Sequence, residues 1–220
     1  MIQNQTNTTM EELTPQLVYH ANQQWLGLQS YRPLWRRMQQ RAIDIAAGGA
    51  DEVIWTCEHE PVYTTGRRGI DNRVMSELPA ELIRIDRGGE TTFHGPGQLL
   101  LYPMIHLRKR QLGVRNYVHL LEQSCIELLA SMDVTGVRRC GFPGVWLGQA
   151  KVAALGVRVS NGVAYHGMAL NLNVDPCWFN AIQPCGLQLE AANLIDFALI
   201  PSMIDVAASW SRHLATLLYL

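Results

Sequence analysis

Lys151-Val152-Ala153-Ala154-Leu155-Gly156-Val157, answered after a turn by Tyr165-His166-Gly167-Met168-Ala169-Leu170-Asn171, sets the organisation of this 220-residue chain. The odd positions Lys151, Ala153, Leu155, Val157 and Val159 predict a strand with one apolar face. Lys151 then begins that face, where an ammonium is less expected than on the solvent side. Val163 to Leu172 predicts a second strand, on which His166 shares parity with Ala164, Met168, Leu170 and Leu172. A histidine so placed reads as hydrogen-bonded and pocket-orienting, not as a proton carrier. The stretch closes at Gln183-Pro184-Cys185-Gly186, where Cys185 falls on a turn that backbone can present to a cleft.

Cys185 is the candidate nucleophile and Lys151 its activating partner. A free thiol with a pKa near ~8.5 is only a few per cent thiolate at neutral pH, and the thiolate is the attacking species. A nearby ammonium that lowers this by ~2 units supplies roughly 2.7 kcal/mol and makes the thiolate the major form. The separation of the two residues encodes no local geometry. A buried core cysteine and a solvated lysine therefore remain an open alternative at this point.

Working outward, Pro33 starts a helix whose stripe is Leu34, Trp35, Met38, Ala42 and Ile45, stopped at Gly48-Gly49. Gln16 to His20 and Glu52 to Cys57 read as strands, and Glu58 to Arg67 as loop or sheet edge with a short β-prone run. Glu81 to Asp86 is a strand feeding Arg87-Gly88-Gly89-Glu90-Thr91-Thr92-Phe93-His94-Gly95-Pro96-Gly97-Gln98. Four glycines and a proline in that run predict irregular backbone whose N–H groups are free to face a ligand oxygen. It matches neither a phosphate-binding P-loop nor a dinucleotide fingerprint. Leu99 to Leu107 is an apolar strand, with Pro103 pointing to a sheet edge or a bulge. Asn116 is positioned to cap a helix carrying Tyr117, Leu120, Leu121, Cys125, Leu128 and Leu129. Val134 to Gly144 reads as loop, Val145 to Leu147 as a short strand, and Met203 onward as a closing helix with Val206, Trp210, Leu214 and Leu217.

The fold class is α/β (α+β), a single domain over residues 15–220 with a mixed sheet flanked by helices, preceded by a mobile tail over 1–14. Eighteen Lys and Arg against nineteen Asp and Glu give a net charge of −1, which offers no field for nucleic acid. Five cysteines without a pattern argue against a disulfide framework and for a reducing, cytoplasmic setting. No apolar run reaches the roughly 18 residues of a membrane span. Cys57-x-His59 lacks partners at zinc spacing, so no metal is expected.

Five segments together resemble the lipoyl(octanoyl) transferases, whose fold is shared with biotin and lipoate protein ligases. They are Glu58 to Arg67, Arg87 to Gln98, Lys151 to Arg158, and His166 to Asn171 followed by Pro184-Cys185-Gly186-Leu187. The resemblance implies an acyltransferase that moves an octanoyl group from octanoyl-acyl carrier protein to a lipoyl-domain lysine, without cofactor. Acceptors would be the 2-oxoacid dehydrogenase E2 subunits and the glycine cleavage H protein. It implies Cys185 as the acyl-thioester nucleophile and Lys151 as the residue lowering its pKa; beyond the resemblance, the chemistry makes Lys151 a candidate to receive the amine's proton. It implies Arg87, Gly88, Gly89, Glu90, Thr91, Thr92, Phe93 and His94 as a substrate-binding loop. Ala154, Leu155 and Gly156, with Gly167, Met168 and Ala169, would complete the acyl pocket, and the protein would act as a monomer. One departure stands out: Ala192-Asn193-Leu194 occupies the place where such sequences carry Thr-Ser-Leu. Rival readings are an ATP-dependent ligase on the same scaffold, a non-catalytic carrier-binding module, and a thioester hydrolase.

Overall fold

The computed structural model describes residues 22–69, 78–182 and 190–219. In chain order the strands are β1 (Asn22–Gln29), β2 (Val53–His59), β3 (Val62–Thr65), β4 (Glu81–Arg84), β5 (Thr91–His94), β6 (Gln98–His106), β7 (Val137–Arg139), β8 (Phe142–Leu147), β9 (Ala150–Ser160) and β10 (Val163–Asn171). The helices are α1 (Tyr31–Ala47), α2 (Val114–Ala130), the short α3 (Cys177–Asn180) and α4 (Met203–Tyr219), with a 3₁₀ turn at Leu194–Asp196. Seven strands form one sheet in the order β1-β2-β6-β10-β9-β8-β7, and three form a second, β4-β3-β5. Each sheet is mixed: β1–β2 and β3–β4 run parallel, while β2–β6 and β6–β10 run antiparallel.

β6 is buried along its whole length because each of its faces belongs to a different core. Leu99, Leu101 and Ile105 pack with α2 and α4 through Leu121, Leu128, Trp210 and Leu214. Leu100, Tyr102 and Met104 pack with α1 through Leu34, Met38, Ala42 and Ile45. All three helix stripes follow a 3.6-residue period, and each fully buried aliphatic side chain contributes about 1.5–3 kcal/mol. In α1, Pro33 occupies the first turn, where its missing N–H costs nothing.

Several sequence expectations are met, and others change for identifiable reasons. Pro103 does not lie at an edge, because β6 sits between β2 and β10 and Pro103 pairs with Ile54. Its missing N–H instead coincides with a gap in the β6–β10 ladder between Ala164 and Met168. Helix α2 begins at Val114 after Gly113, so Asn116 lies inside its first turn. The segment read as loop from Val134 contains β7, and β8 starts at Phe142, three residues early. The short β-prone run expected between Pro61 and Gly66 is β3, and β2 extends past Cys57 to His59. Within the glycine-rich run Thr91 to His94 pair as β5 against β3. On α4, Leu218 is buried where the stripe had Leu217. The segments 1–14 and Gln16 to His20 lie outside the described residues.

The closest backbone approach on this sheet is at Gly167, where an added Cβ would lie 2.1 Å from Leu101 O and 2.8 Å from Pro103 Cδ. Neither neighbour can move without parting β6 from β10. Gly167→Ala is therefore expected to lower the unfolding free energy by about 3 kcal/mol. The check is the urea midpoint at unchanged slope; a midpoint equal to the parent's would show that the strands separate freely here.

Candidate active site

Between the two sheets lies a cavity of about 480 Å³, walled by β5, β6, β9 and β10, within the range of roughly 300–1,000 Å³ typical of ligand sites. Lys151 stands at its rim. The expected parity fails for this residue, because the β8–β9 register shifts between Val145 and Trp146. Val152 and Ala153 both enter the core as a result, and Lys151 joins Ala154 and Gly156 on the cavity wall. Its Nζ donates to Pro143 O at 3.0 Å and sits 4.8 Å from the centre of the Trp146 ring. Burial lowers its pKa, opposed by the carboxylates of Glu90 and Glu122. Glu122 also fixes the β8 end of this corner, accepting from Gly144 N at 2.9 Å and Arg138 Nε at 3.1 Å.

The backbone of Lys151 ties a further segment to the site. Its N–H donates to Glu190 O at 2.8 Å, and its carbonyl accepts from Ala192 N at 2.9 Å. Cys185 lies outside the described residues. Ile182 and Glu190, which flank the undescribed stretch on either side, both line the cavity.

The glycine-rich run divides into lining and clasp. Gly89, Glu90, Thr91, Thr92 and His94 line the cavity. Phe93 turns away, stacked on Trp178 at 4.7 Å and 7°. Arg87 lines the cavity, but its guanidinium is committed: Nη1 donates to Gly88 O and Glu90 O, and Nη2 to Thr64 O and Thr64 Oγ1, each at 2.9 Å. Gly156 makes room for it, since a Cβ there would lie 2.8 Å from Arg87 Cδ. The expectation of free amides fails at two of the four glycines in the run. Gly88 N donates to Val157 O at 3.0 Å and Gly97 N to Glu58 Oε1 at 2.6 Å. Among the acyl-pocket candidates, Ala154, Leu155, Gly156, Gly167, Met168 and Ala169 all reach the cavity wall.

His166 does not share the apolar face with Ala164 and Leu170. Its φ of 58° is left-handed, and its ring stacks 5.0 Å from that of its neighbour Tyr165, which regular strand alternation forbids. Both side chains grip Asp86. His166 Nε2 donates to Oδ1 at 2.9 Å, Trp35 Nε1 donates to the same oxygen at 3.1 Å, and the Tyr165 hydroxyl donates to Oδ2. Burial raises the pKa of Asp86, but these hydrogen bonds and the His166 ring outweigh it and hold the carboxyl below its ordinary range. Burial lowers the pKa of His166 more than Asp86 restores it, so the ring is neutral at pH 7. It lines the cavity.

The sequence pattern of the lipoyl protein ligase A/B catalytic domain matches residues 31–215. The chain belongs to that family. An octanoyltransferase of Thiobacillus denitrificans is 47% identical over 161 residues, 73% of each chain. One from Aromatoleum aromaticum is 43% identical over 206 residues, 93% of this chain and 85% of that one. These relatives make this member of the lipoyl protein ligase A/B family an acyltransferase. A bipartite lipoate protein ligase from Thermoplasma acidophilum has the same fold, with a TM-score of 0.66 at 16% identity over 90% of this chain and 84% of that one. No helix among the described residues is long and apolar enough to cross a membrane.

Sequence reasoning missed Asp86, Tyr31 and Tyr102, which reach this site from a strand end, a helix start and an apolar run. It also quoted Gln98 and Asn171 only as segment ends. The Ala192-Asn193 departure is absorbed locally. Asn193 accepts from Val174 N and donates to Val174 O, both at 2.8 Å, while Ala192 is buried against the core.

Asp86 should govern how this corner responds to acid. Its depressed folded-state pKa adds stability that is complete above the unfolded value near ~3.9 and is lost as pH falls through the folded value. Asp86→Asn is therefore expected to cost about 1–3 kcal/mol at pH 7, moderated by partial exposure of the carboxyl. The gap between the two proteins' stabilities should begin to shrink below about pH 4 and keep closing as pH falls toward the folded-state value; a gap independent of pH would assign the loss to shape and not to charge.

Proposed function

We propose that this chain transfers an octanoyl group from octanoyl-acyl carrier protein to a lysine of a lipoyl domain, through a thioester on Cys185. The observation that carries the reading is the convergence at the cavity. Ile182 and Glu190, on either side of the segment holding Cys185, line the same cavity as Lys151, and Glu190 is bonded to the Lys151 backbone. The names of the relatives supply the acyl group.

In the first step the Cys185 thiolate attacks the donor's thioester carbon, and the carrier's sulfur leaves with its electron pair. No ATP enters, because the acyl group arrives already activated. In the second step a neutral lysine amine attacks the octanoyl-enzyme, forming the amide and returning the thiolate. Leu100, Leu155, Met168 and Ala169 give the cavity apolar walls for the chain. About six buried methylenes at ~0.8 kcal/mol each contribute roughly 5 kcal/mol of binding. The Lys151 ammonium favours the thiolate electrostatically. We assign the activity to a catalytic domain spanning 15–220 and acting in the cytoplasm as a monomer. Its acceptors on this reading are the lipoyl domains of 2-oxoacid dehydrogenase E2 subunits and the glycine cleavage H protein.

Mixing the protein with octanoyl-acyl carrier protein, without ATP, is expected to give one octanoyl adduct by intact-protein mass spectrometry, and none with Cys185→Ala. An adduct that survives this substitution removes Cys185 from the role. A requirement for ATP would favour a ligase. For Lys151→Ala, thiol alkylation against pH should show the Cys185 midpoint raised by about 1–2 units; an unmoved midpoint would leave the lysine as a positioning group.

A further inference from the structure

Two chains of hydrogen bonds start at backbone carbonyls and end at the cavity, and each fixes which atom keeps a free lone pair. Ala192 O can only accept, so the amide nitrogen of Asn171 faces it at 3.1 Å. Asn171 Oδ1 therefore accepts from Gln98 Nε2 at 2.9 Å, and Gln98 Oε1 accepts from His94 Nδ1 at 2.7 Å. The His94 proton is thus on Nδ1, and Nε2 carries the lone pair. In the second chain Gln29 O accepts from His59 Nδ1 at 2.8 Å, so His59 Nε2 accepts from the Tyr102 hydroxyl at 3.0 Å. That leaves Tyr102 Oη with lone pairs to offer elsewhere.

His94 and Tyr102 both line the cavity, with Tyr31 stacked on His94 at 5.8 Å and 5°. His94 Nε2 and Tyr102 Oη offer acceptors, while the Tyr31 hydroxyl, which also lines the cavity, can donate. The carbonyl oxygen of a thioester is itself an acceptor and gains nothing from the first two atoms. A primary amine brings two N–H groups and one lone pair, and it suits such a wall. His166 cannot take this part: Nε2 is held by Asp86, and Nδ1 is buried without a partner among the described residues.

We propose that His94 Nε2 receives the proton released by the acceptor lysine in the second step, while Tyr102 Oη accepts the amine's other N–H. The inference rests on the octanoyl-enzyme reading above. The acceptor ammonium first loses one proton to water. Its nitrogen then bonds to the thioester carbon, one N–H proton passes to His94 Nε2, and the C–S bond breaks with its electron pair returning to the Cys185 sulfur. The imidazolium gives its proton to water and the ring is restored. Burial, His59 and Arg87 all lower the pKa of His94, so its lone pair is available throughout the neutral range and the proton is held only briefly.

The experiment isolates octanoyl-enzyme, mixes it with a lipoyl domain and follows loss of the adduct by mass spectrometry in a single turnover. His94→Asn keeps an N–H toward Gln98 and removes Nε2, and it is expected to slow transfer by about 100-fold or more. His94→Gln sets an amide near the Nε2 position that accepts a hydrogen bond but not a proton, and it should be equally slow. Thermal melting of both variants reports whether the fold is kept, and either folded variant suffices for the comparison. Transfer at the parent rate by folded His94→Asn, or rescue by His94→Gln, overturns the proposal while leaving the octanoyl-enzyme in place. Absence of any adduct on the parent protein would instead remove the covalent reading, and this inference with it.

Discussion

One carboxylate joins three parts of this molecule. Asp86 follows β4 of the small sheet, yet it is held by Tyr165 and His166 of the large sheet and by Trp35 of α1. The residue after it, Arg87, bonds back to Thr64 in β3, and Gly88 donates to Val157 in β9. The loop that walls the cavity is thus bolted at successive positions to both sheets. A buried hydrogen bond to an ionised group contributes more than a neutral one, and leaving such a group unpaired costs more still. The cavity keeps its shape because this joint has no cheaper arrangement.

The joint needs an irregular strand. Regular alternation would send Tyr165 and His166 to opposite faces, and only one of them could meet Asp86. The left-handed backbone at His166 brings both rings to one side. It occurs opposite the proline of β6, where the ladder between Ala164 and Met168 is already interrupted. A non-glycine residue in this region is strained by about 1–3 kcal/mol, and such strain persists where surrounding contacts over-determine it. Here the Asp86 bonds supply that determination.

This explains how far the sequence could be read. Periodicity located α1, α4, β6, β9 and β10, because each buries a stripe or face whose pattern is local. The five resembling segments supplied the candidate site, and most of the named residues that lie in the described stretches line one cavity. What periodicity missed depends on register and on distant partners. Lys151 changes face through a bulge defined by its pairing with β8. His166 changes face for a carboxylate 80 residues away. Strand β7 is a three-residue edge, Val137-Arg138-Arg139, whose two arginines mask any apolar signal. Glycine content suggested free amides in the Arg87 to Gln98 run, yet Gly88 and Gly97 already donate within the protein. Composition shows that backbone can approach a ligand, not whether it is already occupied.

That occupancy bears on how charge is handled in the cavity. The Arg87 guanidinium is spent on four internal acceptors, so it serves as structure more than as a counter-charge. Lys151 differs. Among the described residues its ammonium makes one hydrogen bond, to Pro143 O, and two of its three N–H groups remain for another anion. Burial lowers its pKa, but Glu90 and Glu122 oppose the loss of its charge. His59 and His94 are instead kept neutral, with the His59 pKa lowered to about 4 by burial. One wall therefore offers a cation and the other offers lone pairs. The proposed double displacement has a thiolate and an amine as its two nucleophiles, and they need these opposite surroundings: the first must be held ionised, and the second must be relieved of a proton as it attacks.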